Sequence, residues 1–257
     1  MSGLRLMLRQ LPYEHRAFWR NPPAAFFTFV FPLIFLVIFN LLFGNNVVDV
    51  RGTSAPASTF YVPAIAAFAI VNACFTGLAN TLVVSRDLGA LKRLRVTPLP
   101  AWSFLLARVL YLMLVALALV AVTTAFGAVF YAVEVPWRTM PAALLTVAVG
   151  AAACSALGFA VTAIVRSADA APAVINAIAL PLLFISDVFI PSSQAPRWLT
   201  VAADIFPIRH LSIAMLTAFD PETTGSGAAW MQLVVVAAWG VVGAAIAMRT
   251  FRWEPRN

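Results

Sequence analysis

The sequence predicts an all-α polytopic membrane protein with six transmembrane helices. Three observations predict it. Of 257 residues, 62% are hydrophobic and only 11% charged, with mean hydropathy +0.92. The uncharged stretches are long enough for helices that cross a bilayer, about 20 residues each. Lys and Arg gather at the edges of those stretches. A soluble domain carries about 25% charged residues, so this chain lacks the polar surface for one, and it is too apolar for disorder. Barrel strands are about 10 residues long and alternate in polarity, which these runs do not.

The chain begins with a basic amphipathic segment, residues 2–20. At about 100° per residue, Arg5, Arg9, Arg16 and Arg20 share one face, and Leu4, Leu8, Leu11 and Phe18 lie on the adjacent one. An interfacial helix is expected, anchored in the membrane surface or engaged with a partner, and Pro12 is a point where it would kink or divide. The first span follows at 24–43. It is too long for the apolar core of a secretory signal, about 7–15 residues, so it is expected to be retained.

The second span is expected at 61–84. Asn72, Thr76 and Asn80 recur at four-residue spacing and share a face. That face should point into protein or water, either as interhelical hydrogen-bond glue or as the lining of a pathway. After it comes the loop SRDLGALKRLRVTPLP. Asp87 suits the positive end of a short helix, Leu88, Leu91 and Leu94 recur at helical spacing, and Lys92, Arg93 and Arg95 follow toward the negative end. Thr97-Pro98 stops it. A short charged helix between two spans is expected over 87–94.

Spans three and four are expected at 104–131 and 140–165. In span four Gly150, Cys154 and Gly158 form a small-residue stripe that permits close packing, and Gly240 and Ala244 do the same in span six. Span five is expected at 172–190 and carries Asn176 and Asp187. Asp187 is the one acidic residue in an expected span. It either pairs with Arg197 or Arg209, or caps the outer helices, or faces a pathway. The connection 191–227 holds two half-apolar stretches, 197–203 and 207–219, too short to span and expected to be interfacial or re-entrant. Span six is expected at 228–248. No linker divides the chain, so residues 1–257 are expected to form a single transmembrane domain.

Of the Lys and Arg residues, 13 fall on one side of this topology and 4 on the other. Both termini are therefore expected in the cytoplasm. The net charge of +7 and pI near 10.4 follow from the same distribution, and no basic patch suggests nucleic acid. Cys74 and Cys154 offer no zinc spacing or disulfide framework. No G-x-x-x-x-G-K-[ST] loop and no H-E-x-x-H motif occurs. His15 and His210 lie outside the expected spans, so an intramembrane hydrolase lacks its dyad. No metal ligand set and no cofactor site is expected.

The segment RDLGALKRLRVTPLP resembles the signature of the type-2 permease subunits of ATP-binding-cassette (ABC) exporters, a family that includes the daunorubicin-resistance and nodulation-export permeases. The signature's acidic residue, glycine, small residue, leucines, charged pair and closing Thr-Pro are filled by Asp87, Gly89, Ala90, Leu91, Lys92, Arg93, Leu94, Thr97 and Pro98. The family more often has Glu at the first of these positions and Thr at the third. The entry to span one is similar too, with Arg20, Pro22, Pro32, Phe43 and Gly44. In the outer loop Phe206-Pro207 fits, whereas Arg209-His210 departs from the family pattern.

The resemblance implies a dimer of permease chains, identical or not, worked by two cytoplasmic ATPase subunits that hold the ATP and Mg²⁺. It implies a coupling helix made by Arg86, Asp87, Gly89, Leu91, Lys92, Arg93, Leu94, Thr97 and Pro98, flanked by the interfacial helix. It implies outward movement of a lipophilic drug-like compound or lipid across the cell membrane, as in multidrug efflux and antibiotic resistance. Asn72, Thr76, Asn80, Asn176 and Asp187 are candidates for the pathway lining. A stand-alone secondary transporter, an intramembrane enzyme and a polysaccharide-exporting ABC permease are the alternatives.

Overall fold

The computed structural model describes residues 3–44, 47–50, 53–95, 100–189, 196–223 and 225–250. Side chains are described throughout these except at 4, 47–50, 53–55, 93–95 and 101. The fold is a helical bundle, and five of its helices are long and apolar enough to cross a membrane.

Helix α1 (Gly3–Trp19) runs unbroken through Pro12. Its inward face is Met7, Leu11 and Phe18, while Leu8 is exposed with the arginines. That face packs along α6, where Ser103 donates to the Gly3 carbonyl at 3.1 Å. At Asn21 the chain turns into α2 (Pro22–Phe43). The Asn21 side chain accepts from the Ala24 amide, and two prolines fill the first turn, where their missing N–H groups cost nothing. Phe31, Phe35 and Phe39 form a ladder along α2. Phe35 and Phe39 stack on Phe189 at 5.3 and 5.6 Å, and Phe39 stacks on Tyr61 at 5.0 Å.

Between the first two spans lies an antiparallel hairpin, β1 (Val47–Val50) and β2 (Thr53–Pro56), in the register Val47 to Pro56. Four residues in each strand are too few to show a period in the sequence.

The second span is the centre of the bundle. Helix α3 (Ala57–Val71), a π-helical turn (Asn72–Gly77) and α4 (Leu78–Asp87) form one continuous rod. Nearly every α3 side chain is buried, as a helix apolar all round should be. It is enclosed by α2, α6 (Ala101–Tyr131), α7 (Met140–Val161) and α10 (Pro207–Phe219). Helix α5 (Ala90–Arg95) follows α4 after Gly89, whose φ of 71° is open to glycine at no steric cost.

Small residues of spans four and six make close contacts, in span six at Gly240 and Gly243. Gly150 faces Leu211, and Gly158 faces Leu78 and the carbonyls of Cys74 and Phe75. Gly240 and Gly243 meet Ala153 and Leu157 across the contact between α7 and α11 (Trp230–Thr250). Outward side chains on α2, α6 and α11 such as Leu41, Val129 and Val241 are exposed and apolar, a surface suited to lipid.

Two spans end sooner than expected. Helix α7 stops at Val161 instead of 165, and α8 (Ala171–Phe184) stops six residues short of 190. Residues 185–189 form a turn, with Asp187 in the left-handed region at φ 53°. The stretches 197–203 and 207–219 form α9 (Arg197–Ala203) and α10 at those bounds, bent by 96° to each other. Helix α10 enters the bundle against α3, α7 and α11, and the bent pair has the form of a broken span or a re-entrant loop.

Candidate functional site

The loop between the second and third spans hangs from a clamp. Arg86 falls on the face of α4 that carries Ala79, Leu82 and Val83, and all four are buried. Its guanidinium donates from Nη1 to the Thr162 carbonyl at 3.1 Å, and from Nη2 to the Val165 and Arg166 carbonyls at 2.9 and 3.3 Å. These carbonyls lie where α7 ends, so a cation sits at the negative end of that helix. Nε faces Asp87 Oδ1 at 3.4 Å, and Asp87 Oδ2 accepts from the Ala168 amide at 2.6 Å, in the turn before α8.

This corrects the sequence analysis. Asp87 does not open the short helix; it closes α4, and its carboxylate is spent on the chain leading into α8. Helix α5 begins at Ala90. Leu91 anchors it at 1% exposure, while Leu88 (74%) and Lys92 stand out. The side chains of Arg93 and Leu94, and the whole of Thr97 and Pro98, lie outside the described residues. The clamp left one signal in the sequence: an arginine in register with an apolar helix face.

The polar residues of the second span divide. Asn72 Nδ2 donates to the Phe27 carbonyl of α2 at 3.2 Å, a bond between spans. Thr76 Oγ1 donates to the Asn72 carbonyl at 2.9 Å, satisfying backbone where the π-turn displaces the helical ladder. Asn80 donates to the Thr76 carbonyl at 2.9 Å and lines a cavity of about 490 Å³. Asn176 stands exposed on α8.

Asp187 is 5% exposed and pairs with Arg209 Nε at 3.2 Å. Its carbonyl accepts from Ser212 at 2.8 Å. Arg209 also pairs with Asp204 at 3.3 Å and donates to the Thr200 carbonyl at 2.6 Å. This buried cluster joins the end of α8 to α9 and α10. Of the two pairings expected for Asp187, the one with Arg209 is formed.

Sequence reasoning did not single out Glu14, and Arg108 entered only as one of the basic residues. Both line the cavity. Arg108 Nη2 donates to Thr81 Oγ1 at 2.6 Å. Among the described residues no cluster of His, Cys, Asp and Glu could hold a metal ion.

The family model described as ABC-2 type transporter matches residues 11–219, the greater part of the chain and all the spans but the last. No curated protein matches the chain.

Proposed function

The chain belongs to the ABC-2 type transporter family, and on that premise we propose that it is the membrane-spanning permease subunit of an ATP-driven exporter, with α5 as the lever on which a separate ATPase subunit pulls. The observation that carries the lever is the Arg86–Asp87 clamp. A lever transmits work only if its stem is stiff. Here the stem is bonded to the end of α7 and the start of α8, so a push on α5 reaches several spans at once. Leu88 and Lys92 are the exposed docking groups; Arg86 and Asp87 serve by holding the stem.

The basic end of the bundle is cytoplasmic in this reading, and the partner supplies the nucleotide site and Mg²⁺. A second permease chain, identical or not, completes the transporter. Asn176 favours its side: a polar group on an otherwise apolar exposed face of α8 is costly against lipid and better placed against protein or a pathway. Substrates are lipophilic drug-like compounds or lipids, carried outward through the cell membrane. An ion-coupled secondary transporter needs a carboxylate near the midplane, and the candidate for it, Asp187, is engaged with Arg209.

The test is co-purification. The chain extracted in mild detergent should bring an ATPase subunit with it. The double variant Leu88→Asp, Lys92→Glu should lose that subunit and ATP-driven transport, with its thermal unfolding unchanged because both side chains are exposed. Retention of ATPase and transport by the folded double variant removes the lever from α5.

A further inference from the structure

The cavity of about 490 Å³ lies between α1, the start of α2, the π-turn with α4, and the first turns of α6. Its volume falls in the range of small-molecule sites, about 300–1,000 Å³. Its walls change character along its length. Ser85 and Arg108 stand toward the basic end and Ala73 and Leu112 lie deeper along the same helices, with Glu14, Asn80 and Phe27 also in the lining. Ser85 and Ala73 are on the order of 18 Å apart along the same rod, and Leu112 is one turn beyond Arg108. A polar mouth over an apolar floor has the polarity of an amphiphile, with head at the mouth and chain on the floor.

The two charges at the mouth differ in sign and do not neutralise each other. Arg108 spends one of its five N–H donors on the neutral Thr81 hydroxyl. Among the described residues it pairs with no carboxylate, and Glu14 joins no ion pair or hydrogen bond. Arg108 is half-buried about 10 Å into α6. A half-buried guanidinium with donors to spare is stabilised by an anion that uses its fork, and phosphate fits the fork best. Glu14, across the same mouth, would repel a purely anionic head and attract an amine. The pair is neutral overall, and so is the ligand it fits.

We propose that this cavity binds a zwitterionic amphiphile, its phosphate on Arg108, its amine toward Glu14 and its hydrocarbon chain along Phe27 and Leu112. A membrane phospholipid and a soluble amino-phosphate ester share that headgroup chemistry. The hydrocarbon floor favours the lipid. Binding is measured without ATP or a partner, so it stands apart from the transport reading.

The experiment is a calorimetric titration of the full chain in a maltoside detergent. The probes are lysophosphatidylethanolamine, lysophosphatidylglycerol and the chain-free phosphodiester glycerophosphoethanolamine. The first should bind at least tenfold tighter than either of the others. Arg108→Gln should weaken it tenfold or more. Glu14→Gln should reverse the preference toward lysophosphatidylglycerol, and this outer-helix variant carries the test alone if Arg108→Gln does not fold. Glycerophosphoethanolamine binding as tightly as the lysolipid overturns the amphiphile and points to a soluble ester. Equal binding of both lysolipids, unmoved by Glu14→Gln, overturns the site.

Discussion

Arg86 holds a buried charge whose cost is met by carbonyls rather than by a carboxylate alone. Removing it strands those acceptors at the end of α7 and leaves Asp87 without its cation. Arg86→Ala should therefore destabilise the chain by about 3 kcal/mol, read as a lowered midpoint of thermal unfolding in detergent. Arg86→Lys should recover only part of this, since an ammonium lacks the fork that reaches three carbonyls. An Arg86→Ala variant that melts with the wild type would show the clamp to be ornamental. Asp187→Ala leaves Arg209 buried beside the exposed Asp204 alone, and a loss of about 3 kcal/mol is expected by the same measurement. The Arg86 network was not legible in the sequence as a pairing, whereas the Asp187–Arg209 pair was one of two that the sequence offered. Arg86 bonds to backbone 76–80 residues away, and a carbonyl leaves no mark in composition. Asp187 was legible as an anomaly, because an acid in an apolar run is conspicuous; which arginine it meets depended on where α10 enters the bundle.

At the scale of elements, what could be read depended on where the cause lay. Helices α9 and α10 start beside Pro196 and Pro207, local signals that set their bounds, and the long apolar runs set α2, α6 and α11. The early stop of α8 has a distant cause, the contacts of Asp187 with α10, so hydropathy alone extended that helix to 190. The π-turn likewise answers to packing. Gly158 of α7 presses on it, and a Cβ there would lie 2.8 Å from Leu78 and 3.1 Å from the carbonyls of Cys74 and Phe75. Backbone cannot yield as a side-chain tip can, so Gly158→Ala should cost about 1–3 kcal/mol in unfolding free energy. A neutral result would mean the two spans separate freely at the turn. The end of α6 invites the opposite change. Ala132 takes the left-handed conformation, φ 53°, and Val133 bonds back to the Gly127 carbonyl at 3.2 Å. Glycine removes the steric penalty of that cap, so Ala132→Gly should stabilise the fold by about 1 kcal/mol, seen as a higher unfolding midpoint.

For the whole molecule the open quantity is the number of crossings, and α8 together with the bent α9–α10 pair decides it. Its 14 residues rise about 21 Å, against a hydrocarbon core of about 30 Å. A short helix can still cross where the bilayer thins or where neighbours shield its ends. Here the turn 185–189 and the bent α9–α10 pair lie at one end, and the clamp of Asp87 on Ala168 holds the other. The charge distribution gives an independent argument. If α8 crosses, Arg86, Arg108, Arg166 and Arg249 share a side and Trp137 lies opposite; if it does not, Arg249 changes sides and the 13-to-4 asymmetry shrinks. The energetic preference of basic residues for the cytoplasm then favours crossing. Between Trp137 and Arg249 the chain passes α7, α8, the bent α9–α10 pair and α11, so with α7 and α11 crossing the number is odd only when one of α8 and the bent pair crosses and the other does not. In a cysteine-free background, Trp137→Cys should react with a membrane-impermeant maleimide added outside intact cells. Arg249→Cys and Lys92→Cys should react only after the membrane is opened. Labelling of Arg249→Cys from outside, with Trp137→Cys also labelled there, would leave α8 as a hairpin that returns to the side it came from, and would place the two ends of the chain on opposite faces of the membrane.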